Sequence, residues 1–247
     1  MSIIVFDTET VGLEKCFCYD VGYYVLSKDK KILAQRHFVI EQIWHNLPLF
    51  ATAYYADKRP LYVKDLRCRK AELVKWGNAM RIMANDIKKY NVEAAYAYNS
   101  SFDDKVFTFN CEYFHTNNPL DTIPVFDIWG YASQFITNEP DYINFCEQNE
   151  LFTDSGNYKG SAESVYRFLT NSDFVEEHRG LEDSEIEALI LFACIEVGAE
   201  WEHEYNVVKV LPRITPHEYE IRVNGKTIHK GEYVKKYIRD GKYYFTE

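Results

Sequence analysis

The chain opens on a short apolar run, SIIVF at residues 2–6, rich in β-branched side chains; this predicts a buried strand ending at Asp7. Residues 17–26 (FCYDVGYYVL) and 31–40 (KILAQRHFVI) predict two more strands. The polar turn SKDK between them is short enough to require an antiparallel hairpin. Residues 41–69, with Pro48 and Pro60, lack a clear period and read as an insertion or long loop. Over residues 70–90, Leu73, Trp76, Met80, Met83 and Ile87 recur at helical spacing and predict one amphipathic helix. A strand follows at 92–98 (VEAAYAY), then a helix over 102–112, a short strand at VFDIW, and helices over 129–137, 141–150, 161–170 and 183–200. Beyond Glu204 the pattern changes. Asn224-Gly225 and Asp240-Gly241 lie between aromatic and β-branched runs and predict hairpins. The expected division is therefore an α/β domain over 1–203, with an insertion at about 41–69, and a small β-rich extension over 204–247.

Composition narrows the class. With 47% hydrophobic residues, 247 residues are enough for one large folded domain with a small appendage. There is no apolar run of the length a membrane span needs, and MSIIVFDTET lacks the basic start of a signal peptide. The six cysteines form no C-x-x-C pair, so a structural zinc site has no support and reduced thiols in a cytoplasmic compartment are expected. The net charge of −10 argues against a nucleic-acid partner until its distribution is considered. Residues 58–75 and 221–244 each hold seven Lys or Arg against two acids, two basic islands in an acidic chain.

Three separated segments carry candidate chemistry. In DTET, residues 7–10, strand alternation points Asp7 and Glu9 the same way, an arrangement that favours a cation between them. NSSFDD, residues 99–104, puts Asp103 at a strand-to-helix junction. HRGLEDSEIEALI, residues 178–190, sets His178 in a loop five positions before Asp183 at a helix start. Each has an ordinary reading by itself: a solvated acidic pair, a first-turn aspartate, an acidic helix N-terminus.

Taken in this order, the three segments resemble the DnaQ-like, or DEDDh, 3′→5′ exonuclease superfamily, with Asp7 and Glu9 matching its first motif, Asn99, Phe102 and Asp103 its second, and His178 and Asp183 its third. The residue four before Asp183 is Arg179, which excludes the branch carrying tyrosine there. The segment from Phe38 to Tyr62 is also similar to exonucleases encoded by bacteriophages, which would place the protein in the host cytoplasm. The resemblance implies an RNase H-like fold: a five-stranded mixed sheet with its second strand antiparallel, flanked by helices. It implies hydrolysis with two divalent cations, Mg²⁺ or Mn²⁺, held by Asp7, Glu9, Asp103 and Asp183, with His178 as general base. Thr8, Asn99 and Phe102 are then candidate substrate contacts. Lys235 and Lys236, among tyrosines in the second basic island, are candidates to grip a strand. The partner is the 3′ end of single-stranded DNA, or of RNA if the chain is of the RNase T or oligoribonuclease type. A polymerase or replication protein is a further candidate partner. An alternative from another class is a non-catalytic nucleic-acid-binding module.

Overall fold

In the computed structural model, residues 2–154 and 156–208 are described in full, together with the backbone of 217–223, 226–237 and 243–246. Strands β1 (Ser2–Thr10), β2 (Cys18–Ser27) and β3 (Ile32–Ile40) form an antiparallel meander. Three short helices follow: α1 (Glu41–Trp44), α2 (Leu47–Phe50) and α3 (Arg59–Cys68). Next come β4 (Glu72–Val74), α4 (Trp76–Lys89), β5 (Val92–Ala97), α5 (Ser100–Tyr113) and β6 (Val125–Asp127). Four helices complete the main body: α6 (Ile128–Phe135), α7 (Pro140–Gln148), α8 (Ala162–Thr170) and α9 (Gly180–Glu196).

The sheet has six strands in the order β4-β3-β2-β1-β5-β6, with β5 and β6 parallel to β1 and β4 parallel to β3. This corrects the expected five. The extra strand is β4, which the helical spacing of Leu73 had merged with α4. Glu72–Val74 instead pair with Phe38–Ile40, and α4 begins only at Trp76. The apolar period marks which face of a segment is buried but not where a neighbouring strand edge captures its first residues. The insertion also differs from the irregular loop expected. Pro48 and Pro60 occupy the first turns of α2 and α3, where a missing N–H costs nothing, so they start helices rather than break structure.

Alternation along β1 sorts the core. Ile4 and Phe6 pack with Trp76, Met83 and Phe107 on the α4 and α5 face, while Ile3 and Val5 pack with Tyr131, Ile190 and Leu191 on the α6 and α9 face. The same parity sends Asp7 and Glu9 toward α9 and Thr8 toward α5. Helix α9 reaches them because Gly22 and Gly180 leave its start room against the sheet. A Cβ on Gly22 would lie 1.9 Å from the Leu181 nitrogen, and one on Gly180 would lie 2.9 Å from the Asp7 carbonyl oxygen.

In the tail, β7 (His217–Val223), β8 (Lys226–Tyr237) and β9 (Tyr243–Thr246) form a three-stranded antiparallel sheet in chain order. These strands flank both hairpin signals; Asn224-Gly225 and Asp240-Gly241 themselves, and the side chains of Lys235 and Lys236, lie outside the described residues. All six cysteines are free, and five are buried. Among the described residues no helix is long and apolar enough to cross a membrane.

Candidate active site

The three motifs converge where the C-terminal half of β1 meets the start of α5 and the first turns of α9. Asp103 is buried, and its Oδ1 accepts the Thr8 hydroxyl at 2.6 Å. Thr8 thus orients a carboxylate, with its own side chain 4% exposed. Asn99 takes the left-handed conformation at the α5 N-terminus, where its N–H donates to Asp127 Oδ1 at 2.8 Å; its exposed side chain caps nothing and lines the cleft. Phe102 is half-buried and packs against the α4–α5 core. In α9, Asp183 Oδ2 accepts the Arg179 N–H at 2.7 Å, while its Oδ1 is buried without a hydrogen-bond partner. One ligand atom each from Glu9, His178 and Asp183 lie within 4.8 Å of one another.

A fifth carboxylate joins them. Glu187 is buried one turn beyond Asp183, accepts the Tyr98 N–H at 3.1 Å, and lines the same cleft of about 640 Å³ as Asp7, Asn99 and His178. The sequence did carry a signal for it. Glu187 interrupts the buried apolar stripe of α9, and a charge on such a stripe calls for a special environment.

The electrostatics follow from crowding. Burial, then Glu187, Asp103, Asp183 and Glu9, hold the Asp7 carboxyl well above its usual range. Burial and then Asp183 do the same to Glu9, with Lys58 opposing. Asp103 is pushed up to about 7, by burial against the relief of the Thr8 hydrogen bond, and Asp183 to about 8, by burial and Glu176. Glu187 is raised by burial and by Asp103. An all-oxygen donor set of mutually repelling carboxylates, one with an orphaned buried oxygen, fits a hard divalent cation.

His178 differs in sign. Burial and then Lys58 lower its pKa, so the ring is neutral near pH 7, and its Nδ1 faces Glu176 Oε2 at 3.9 Å. Glu176 itself is raised to about 7, mainly by burial.

Beneath the site lies a buried polar network that the sequence reading missed. Asp20 stands opposite Glu9 in the β1–β2 register. Its Oδ2 accepts the Tyr62 hydroxyl (2.7 Å) and the Gly180 N–H (3.0 Å), and its Oδ1 lies 3.0 Å from His37 Nε2 in an ion-pair contact without hydrogen-bond alignment. Burial alone would raise Asp20, but His37, Tyr62 and Gly180 outweigh it and keep the carboxyl below its usual value. His37 is raised in turn, Asp20 overcoming the burial that would lower it.

The solved structures to which this chain is similar include several exonucleases. One is exonuclease X in complex with 5′ overhanging duplex DNA (13% identity, 79% of this chain and 92% of that chain, TM-score 0.39). Others are E. coli exonuclease I with a dA16 oligonucleotide (14%, 78% and 40%, TM-score 0.45) and with a 5cy-dA13 oligonucleotide (16%, 78% and 40%, TM-score 0.49). This chain thus spans less than half of exonuclease I. At these identities the likeness concerns the fold alone. A mixed sheet with β2 antiparallel and helices on both faces is the RNase H-like arrangement expected from the sequence. Neither a protein-family model nor the sequence of a curated protein matches this chain.

The raised carboxyls make a stability prediction. A carboxyl whose folded pKa is raised stabilises the fold fully below its unfolded pKa of about 4, and that contribution is lost as pH rises through the folded value. With Asp103 at about 7 and Asp183 at about 8, the metal-free protein is expected to lose this contribution between about pH 4 and 8. Thermal melts in EDTA should show that loss, and added Mg²⁺ or Mn²⁺ should raise Tm more at about pH 8 than at about pH 5. An equal metal-induced shift at both values would mean that these carboxylates do not bind the ion.

Proposed function

We propose that this protein is a metal-dependent 3′→5′ exonuclease that hydrolyses phosphodiester bonds from the 3′ end of nucleic acid, with single-stranded DNA the preferred substrate. The observation that carries this reading is the crowding of Asp7, Glu9, Asp103 and Asp183, from three distant motifs, close enough that the other three raise the Asp7 carboxyl, beside a neutral histidine. When bound, two divalent cations, Mg²⁺ or Mn²⁺, would supply positive charge for the transition state and would lower the pKa of the attacking water. Asp7, Glu9, Asp103 and Asp183 would hold them. Thr8 fixes the orientation of Asp103, and the Arg179 N–H fixes that of Asp183. His178, its Nδ1 turned toward Glu176, leaves Nε2 to take the proton of the attacking water. Leu13, 73% exposed on the loop after β1, and Phe102, in the first turn of α5 beside Asp103, are the proposed contacts to the terminal bases. Lys235 and Lys236, on the tail sheet, extend the grip along the strand.

The test is digestion of end-labelled DNA and RNA oligonucleotides, each with and without divalent metal. Shortening from the 3′ end that stops in EDTA and favours DNA is the expected outcome. Digestion that survives excess EDTA overturns the metal mechanism, preference for RNA moves the substrate to the exoribonuclease class, and binding without cleavage makes the protein a non-catalytic module.

A further inference from the structure

The insertion at 41–69 touches three consecutive residues of the histidine loop, Glu177 to Arg179, and shares a partner, Asp20, with the next, Gly180. Lys58 Nζ donates to the Glu177 carbonyl oxygen. The Tyr55 ring stacks face to face on the His178 imidazole, with centroids 4.1 Å apart and planes 11° from parallel. Arg179 Nη2 binds Asp65 Oδ2 at 2.5 Å. The Gly180 N–H binds the same Asp20 oxygen that accepts the Tyr62 hydroxyl. Lys58 Nζ also sits 4.8 Å above the Tyr55 ring, tying the first two contacts together.

His178 itself has φ +50°, a left-handed conformation that a side chain with a Cβ adopts only when its surroundings over-determine it. A histidine waiting in an open loop, free to swing in after substrate binds, needs none of this. We propose that residues 55–65 form a clamp that fixes His178 before substrate arrives, and that Tyr55 is a positioning residue for proton transfer. The proposal rests on the exonuclease reading for the role of His178, but the contacts themselves do not. The stack presents the edge of the imidazole to Glu9 and Asp183, locks its plane, and shields one face from water.

Tyr55 is half-exposed, so its variants are expected to fold. Tyr55→Ala should lower kcat about tenfold while KM stays within about twofold, because a misplaced base costs rate and not binding. Tyr55→Phe keeps the ring and should restore the rate. In a His178→Ala background, Tyr55→Ala should cost nothing further, since the clamp acts through that histidine. A second readout does not depend on turnover: in the metal-free protein, NMR should show the His178 ring protons shifted by the stacked ring in wild type and Tyr55→Phe, but not in Tyr55→Ala. Should the wild type prove inactive on nucleic acid, the exonuclease reading fails while this spectrum still decides the clamp. The clamp is overturned by an unmoved His178 resonance, by an unchanged kcat in Tyr55→Ala, or by an equal loss when His178 is absent. A rise in KM alone overturns it in favour of Tyr55 touching substrate.

Discussion

Asp7→Asn is expected to lower turnover by at least about 10²-fold while raising the stability of the metal-free protein, since even groups that only support metal ligands cost 10–100-fold when lost. Both effects come from one carboxylate. Asp7 is the charge on which Glu187, Asp103, Asp183 and Glu9 all act, and each pushes its pKa up on top of burial. Ionised and without a cation, it opposes folding; in the proposed mechanism it would be one of the carboxylates that hold the cations. The amide keeps the shape and removes the charge. The stability gain should be largest at about pH 8 and vanish below about pH 4, where the wild-type carboxyl is protonated in folded and unfolded chains alike. Turnover on end-labelled oligonucleotide and thermal melts in EDTA check the two halves. A variant that lost activity and also melted lower would show that the Asp7 carboxylate holds the fold together rather than the metals.

His178→Ala should lower kcat by about 10²–10⁴-fold, the range for losing a positioned base, with KM little changed. Burial and then Lys58 depress the histidine, so the wild-type rate should fall on the acid side only below the ordinary imidazole range, and the variant should lack that limb. Weak binding with normal turnover at saturation would place His178 in substrate recognition instead. Tm should change little, because the histidine is half-exposed and Asp20, Asp65 and Tyr62 continue to hold the adjoining residues.

The difference between legible and hidden features of this site is one of range. DTET could be read because its two acids lie on a strand whose alternation is local: the buried run Ile3–Phe6 fixes the parity, and the parity places Asp7 beside Glu9. Glu187 was half legible, as a charge on an apolar stripe. Nothing near Tyr55, by contrast, marks it as the partner of a histidine far along the chain, and nothing near Asp20 shows that its lone pairs will face the N-terminus of α9.

The sequence by itself determined the hairpin of β2 and β3, the three motif segments and their junctions, the long helices, and the strands on either side of both tail hairpin signals. These depend on periodicity and on turn residues, which act over a few positions. Only the tertiary structure decided that Glu72–Val74 would leave their helical register to extend the sheet, and that Thr8 would serve Asp103. It also decided that a proline-containing insertion would fold into helices and brace the histidine loop. Each of these is settled by which surfaces meet once the core has formed: an open strand edge, a buried hydroxyl needing an acceptor, a ring face needing cover. The free energy that selects among such meetings belongs to the assembled fold and to no single stretch of the chain.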